Sequence, residues 1–223
     1  MIRALETVEI LLEEKIVAVL RLRSGAAIGD ICEALVAGGI RCVEVTMTVP
    51  NALDSIHDVA TKPGLAAVGA GTVMTEPQTR QCIDAGAQFV VSPAIVPESV
   101  QAALDSDVAA IPGALTPTEI LAACSLGASM VKIFPAAQLG PSYIAAIKAP
   151  LPDVLLMPTG GITADSARGF LEAGADVLCA GSWLVSDADV ESGRFDEIER
   201  KARLLVKAVS QSRAGKRRTR SDG

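Results

Sequence analysis

Residues 124–134 read CSLGASMVKIF: an apolar helical pattern stops at a glycine, and one or two residues later a β-branched strand begins. Glycine suits a helix C-terminus because the left-handed cap costs it nothing. The same grammar recurs in LVAGGIRCVEVT (35–46), CIDAGAQFVVS (82–92) and LEAGADVLCAG (171–181). Strands of the same apolar type stand in KIVAVLR (15–21), LAAVGAGT (65–72), VAAIPGA (108–114) and DVLLMPTGG (153–161), which makes eight. They start near residues 16, 42, 66, 89, 109, 130, 154 and 177, a spacing of 20 to 26 residues with helical patterns between them.

Uniformly apolar strands alternating with helices mean a parallel sheet covered by helices. Helix starts are marked too. TPTE (116–119) offers a capping threonine, a proline at the first helical position and a glutamate three residues after the cap, and MTEPQ (74–78) and VPES (96–99) carry similar starts. Eight such repeats predict an α/β fold, a (β/α)8 TIM barrel with an extra N-terminal helix over residues 1–14. An open doubly wound sheet would need a glycine-rich phosphate turn after the first strand. LRLRSGAA (20–27) is not such a turn.

The chain has 223 residues, half of them hydrophobic and only 3% aromatic, enough for one core of small aliphatic side chains. A single domain over 1–210 is expected, followed by a basic, unstructured tail at 211–223. The net charge is −6 and the tail sums to +4, so the rest carries −10. An acidic body argues against nucleic acid as a partner. Charged residues interrupt every apolar run, and the first fifteen residues read as an amphipathic helix, so neither a membrane span nor a signal peptide is expected. Five widely spaced cysteines, none in a Cys-x-x-Cys pair, fit small core residues in a reducing cytoplasm. The one histidine, His57, reads as a helix surface residue, which argues against a His-rich metal site and a catalytic triad.

In a closed barrel the active site lies at the C-terminal strand ends. Those ends carry Arg21, Glu44, Thr46, Thr72, Ser92, Pro93, Lys132 and Thr159. Alternate residues of a strand share a face. Lys132 therefore goes with Met130 and Phe134 and Glu44 with Cys42 and Thr46, opposite aliphatic sets that suit the helix-packed exterior. Both charges turn into the barrel, and Arg21 follows Val17 and Val19. An internal Lys–Glu ion pair would merely fill space. The alternative uses poor solvation, which favours the neutral amine, and a neutral amine attacks a carbonyl. A Schiff base on a 2-oxo acid draws electrons from the neighbouring carbon, and Glu44 is placed to move the proton. This chemistry needs neither metal nor cofactor. Gly160 and Gly161 after strand seven, with Gly181 and Ser182 after strand eight, are candidates for a phosphate site.

KIVAVLR, GGIRCVEVTMTVPNA, VGAGTV, VVSP, IPGALTPTE, VKIFPA, GPSYIAAIKAPLPDV, PTGGI and GSWLV together resemble the 2-keto-3-deoxy-6-phosphogluconate aldolases, which also cleave 4-hydroxy-2-oxoglutarate. The likeness runs over residues 10–208. It implies a class I aldolase, usually a homotrimer, acting on a phosphorylated 2-keto-3-deoxy sugar acid. It implies that Lys132 forms the Schiff base with pyruvate and Glu44 shuttles protons. Thr72 and Arg21 would hold the pyruvate carboxylate near Pro93 and Thr159, and Gly160, Gly161, Gly181 and Ser182 would receive the phosphate. The best-known branch carries an arginine where this chain has Thr48. The 6-phosphogalactonate aldolases lack it too, and remain an alternative beside a phosphosugar isomerase and a sugar-acid sensor.

Overall fold

The structure is a computed structural model and describes residues 3–25 and 27–218, with side chains as far as Gln211. Helix α1 (Ala4–Glu14) leads into β1 (Ile16–Leu20). There follow α2 (Ile28–Ala37), β2 (Cys42–Thr46), α3 (Ala52–Ala60), β3 (Ala67–Gly71), α4 (Glu76–Asp84), β4 (Phe89–Val91), α5 (Pro97–Asp105), β5 (Ala109–Ile111) and β6 (Gly113–Ala114). The chain continues through α6 (Pro117–Ser125), β7 (Val131–Ile133), α7 (Gly140–Lys148), β8 (Leu156–Pro158), α8 (Ala164–Glu172), β9 (Leu178–Ala180), α9 (Asp187–Glu191) and α10 (Phe195–Arg218).

The glycine grammar has one structural cause. Past α2, α4, α6 and α8 the chain turns through a left-handed glycine: Gly39 (φ 91°), Gly86 (109°), Gly127 (88°) and Gly174 (105°). Each glycine N–H donates to the carbonyl three residues back and the next N–H to the one five back, as Ile40 does to Leu35 at 2.9 Å. Two orphan helix carbonyls are thereby satisfied as the chain enters the next strand. Helix α5 ends in the same way on Asp107 (φ 54°), with Val108 donating to Ala103. At the other ends, Thr116 and Glu119 form the expected reciprocal cap of α6, and Thr75 caps α4 by accepting from the Gln78 N–H at 3.3 Å. Val96 offers α5 no capping side chain.

All strand pairs are parallel. One sheet has the order β5-β4-β3-β2-β1-β9 and the other β6-β7-β8. The two share the run 109–114, which is one strand by sequence pattern but two segments in the structure. Pro112 interrupts it, because proline has no N–H to give to a ladder. The eight expected strands are therefore nine segments among the described residues. Across this seam the Ser129 N–H donates to Ala110 O and the Lys132 N–H to Pro112 O, both at 2.9 Å. At the other seam β8 and β9 meet in a single bridge, Thr159 to Cys179. The result is a curled, TIM-barrel-like parallel α/β sheet.

Strand parity divides the core in two. Val17, Val19, Cys42, Phe89, Met130, Met157 and Cys179 pack on the inner side, and the intervening Ala18, Leu20, Val43, Val45, Val131 and Ile133 pack outward beneath the helices. Helix α1 packs on β1, β3 and β5 and adds Val8 and Leu11 to the inner set. Leu11 is fully inaccessible, and its burial contributes about 1.5–3 kcal/mol. Helix α10 packs against both α2 and α8, so it joins the last helices to the first. The expected tail falls partly on α10, which runs to Arg218, and partly on residues 219–223, outside the described residues. His57 is exposed on α3, as its pattern implies. Among the described residues no helix is long and apolar enough to cross a membrane.

Candidate active site

Lys132 and Glu44 both point to the inner side of the sheet. Lys132 sits opposite Gly113 and Met157 in register, and Glu44 opposite Val19 and Gly69. Lys132 is 1% exposed and Glu44 is wholly buried. A buried ammonium and a buried carboxylate are expected to pair, because each alone is costly to desolvate. They do not. No ion pair within 4.0 Å joins them among the described residues, and the Lys132 Nζ instead lies 5.2 Å from the centre of the Phe134 ring. The space-filling ion pair is thus not what the strands build.

Glu44 Oε1 has no hydrogen-bond partner, while Oε2 accepts from the Cys179 thiol at 3.5 Å. Room for this carboxyl comes from Gly71, where a Cβ would collide with it. Next to that glycine, Thr72 adopts a left-handed backbone (φ 58°) and buries an unpartnered hydroxyl. A threonine in that conformation is strained, a condition that persists where the fold holds it for a purpose. Thr46 donates to Leu20 O at 3.3 Å and shares a 2.7 Å hydrogen bond with Thr48.

Beside Phe134, two residues beyond Lys132 on the same strand face, opens a cavity of about 140 Å³ whose lining includes Arg21, Thr159, Gly160, Gly161, Gly181 and Ser182. Six of the expected site residues thus meet in one place. Arg21 shares this cavity with the glycine loops, not with Thr72. Both Gly160 (φ 92°) and Gly161 (φ 75°) are left-handed. The amides of Gly161, Ile162, Ser182 and Trp183 donate to no other group among the described residues. Helix α8 starts just after Ile162, so the positive end of its dipole lies at this loop. Free amides, a guanidinium and a helix start together suit an anion. Pro93 lines a neighbouring cavity of about 450 Å³, and Phe134 lines both.

Sequence reasoning missed Phe134, Trp183 and Cys179 as parts of the site. Phe134 shares its strand face with Lys132, and Cys179 lies two residues before Gly181 on an inward face, so parity held the signal for both. Burial, then the Glu44 charge, pushes the Cys179 thiol well above its ordinary value, while Lys132 and Thr159 oppose that rise. Among the described residues no three His, Cys, Asp or Glu side chains gather as a metal site requires.

A curled parallel sheet with a buried lysine and a buried carboxylate on its inner side, and a glycine-lined cavity at its strand ends, fits a lyase of the aldolase class. Comparison with known proteins narrows the class. The chain belongs to the KDPG and KHG aldolase family, whose model matches residues 7–201. It is 37% identical over 178 residues to the KHG/KDPG aldolase of Escherichia coli K12, covering 79% of this chain and 84% of that one. Among solved structures it is similar to 2-keto-3-deoxy-6-phosphogluconate aldolase from Zymomonas mobilis, with TM-score 0.79, 30% identity, and 92% and 97% of the two chains covered. It is also similar to KDPG aldolase from Legionella pneumophila, a structure with pyruvate captured at low pH as a covalent carbinolamine intermediate. There the TM-score is 0.80 at 27% identity, over 89% of this chain and 97% of that one.

Proposed function

We propose that this chain is a class I aldolase that reversibly cleaves 2-keto-3-deoxy-6-phosphogluconate to pyruvate and glyceraldehyde 3-phosphate. Its second substrate is 4-hydroxy-2-oxoglutarate, cleaved to pyruvate and glyoxylate. The observation that carries the reading is the buried Lys132, which forms no ion pair with Glu44 and lies against Phe134, a wall of the cavity, with Glu44 Oε1 left unpartnered on the same side of the sheet.

The Lys132 amine attacks the C2 carbonyl, and the carbinolamine loses water to give an iminium. The iminium withdraws electrons from the C3–C4 bond. Glu44 takes the proton of the C4 hydroxyl, the bond breaks, and the aldehyde leaves behind an enamine. Glu44 returns that proton to C3, and water then hydrolyses the pyruvyl iminium, freeing pyruvate and Lys132. The unpartnered Thr72 hydroxyl meets the substrate carboxylate beside Pro93 and Thr159. Arg21 and the amides of 160–162 and 181–183 meet the phosphate. No metal or cofactor takes part, since the lysine supplies the electron sink.

The same reading makes the two sheets one closed (β/α)8 barrel, supported by hydrogen bonds across both seams. It makes residues 1–210 one domain and the protein a cytoplasmic homotrimer that binds no nucleic acid. Light scattering tests the trimer, which requires the mass of three chains. The catalytic reading is tested by incubating the protein with substrate and following pyruvate. Cleavage that is lost in Lys132→Met, with phosphate-sugar binding kept, supports it. Cleavage retained in that variant would sink it.

A further inference from the structure

The two oxygens of the Glu44 carboxyl differ. Oε1 has no partner, while the one hydrogen bond to Oε2 among the described residues comes from Cys179. Cys179 is wholly buried on the inner side of β9. It pairs in register with Val17 and is bridged to Thr159. The titratable groups around this carboxyl on the inner side are Cys179 from β9 and Lys132 from β7, and the charges of Glu44 and Lys132 act on the Cys179 thiol in opposite directions. From β1 and β3 its neighbours Val19, Gly69 and Gly71 carry no titratable side chain.

We propose that Cys179 is a positioning residue for the aldolase reaction: its S–H anchors Oε2 and so holds Oε1 toward the carbon of the substrate bound on Lys132. The inference rests on the aldolase reading of this site. Cys179 itself touches no reacting atom and acts through Glu44. Because burial and the neighbouring carboxylate keep the thiol protonated, it remains a donor throughout the cycle. A thiol is also a weak donor, so it stabilises the carboxylate over the carboxylic acid only slightly and offers little resistance to proton traffic through Oε1.

Two assays on pyruvate alone separate the roles. Borohydride trapping reports iminium formation on Lys132, and loss of methyl protons in D2O, followed by NMR, reports proton removal by Glu44. Cys179→Ala is expected to trap at the wild-type rate while its exchange falls about tenfold, a fraction of what general base catalysis supplies. Cys179→Ser, which keeps a donor, recovers most of the loss. Where the alanine variant does not fold, Cys179→Val fills the site without a donor and is expected to show the same split. Equal loss in both assays, or wild-type exchange without a donor, overturns the proposal. A wild-type protein that does not trap pyruvate at Lys132 overturns the aldolase reading instead.

Discussion

Replacing Gly71 by alanine tests the position of the Glu44 carboxyl with a single methyl group. A Cβ at residue 71 would lie 2.5 Å from Cδ and 2.7 Å from Cγ of Glu44, and nearer still to Oε1. Ordinary contact begins at 3.4 Å, so the fully buried carboxyl must retreat by about 1 Å. The Gly71 backbone is not left-handed, so alanine adopts it without strain of its own. A displacement of about 1 Å costs on the order of a hundredfold in rate. Overpacking costs about 1–3 kcal/mol, or roughly 2–12 °C in Tm for a chain of this size. The assays are cleavage, read as pyruvate through lactate dehydrogenase, and a circular dichroism melt. A folded Gly71→Ala protein cleaving within threefold of wild type would refute the placement of Glu44 as the proton shuttle.

Three further outcomes are expected. Burial pushes the thiols of Cys32, Cys42 and Cys82 up to about 12 and raises that of Cys179 well above its ordinary value, so at pH 8 a disulfide reagent titrates at most Cys124 in the native protein and all five thiols in urea. Rapid native labelling of any of the other four would contradict this. Asp189, 4% exposed, is held well below the usual carboxylate range by Lys201, Ser186 and Arg194. A carboxyl depressed in the fold stabilises it above the unfolded value of about 3.9 and loses that contribution as the pH falls below it. Asp189→Asn is expected to lose about 2 kcal/mol in urea unfolding at pH 7, and the gap to wild type to narrow as pH drops below about 4; a gap that stays constant would contradict the linkage. Arg21→Ala is expected to weaken competitive inhibition by inorganic phosphate about tenfold, the worth of one charged hydrogen bond, and unchanged inhibition would place the anion elsewhere.

Much of the fold is legible because two local rules repeat. The left-handed glycines at 39, 86, 127 and 174 mark where helices end, and strand parity assigns Lys132 and Glu44 to the inner side before any coordinate is known. Where these rules fail, another residue does the same work. Asp107 takes the left-handed position without being glycine, and Pro112 splits a strand whose hydrophobic pattern is unbroken. The site is less legible than the fold because it depends on contacts between distant strands. No local pattern shows that Lys132 passes over Phe134 instead of pairing with Glu44, or that Cys179, 135 residues along the chain from Glu44, supplies its hydrogen bond. The strained backbone of Thr72 is also invisible in sequence, since threonine ordinarily avoids that conformation. Thr48, placed where a related branch has arginine, engages Thr46.

The most direct measurement of the central claim is borohydride reduction of the protein in the presence of pyruvate, followed by peptide mass mapping. The expected result is one reduced pyruvyl group per chain, carried by Lys132 within the segment SMVKIFPA, with none in Lys132→Met. A label on another lysine, or none on a folded and pyruvate-saturated protein, would contradict the mechanism.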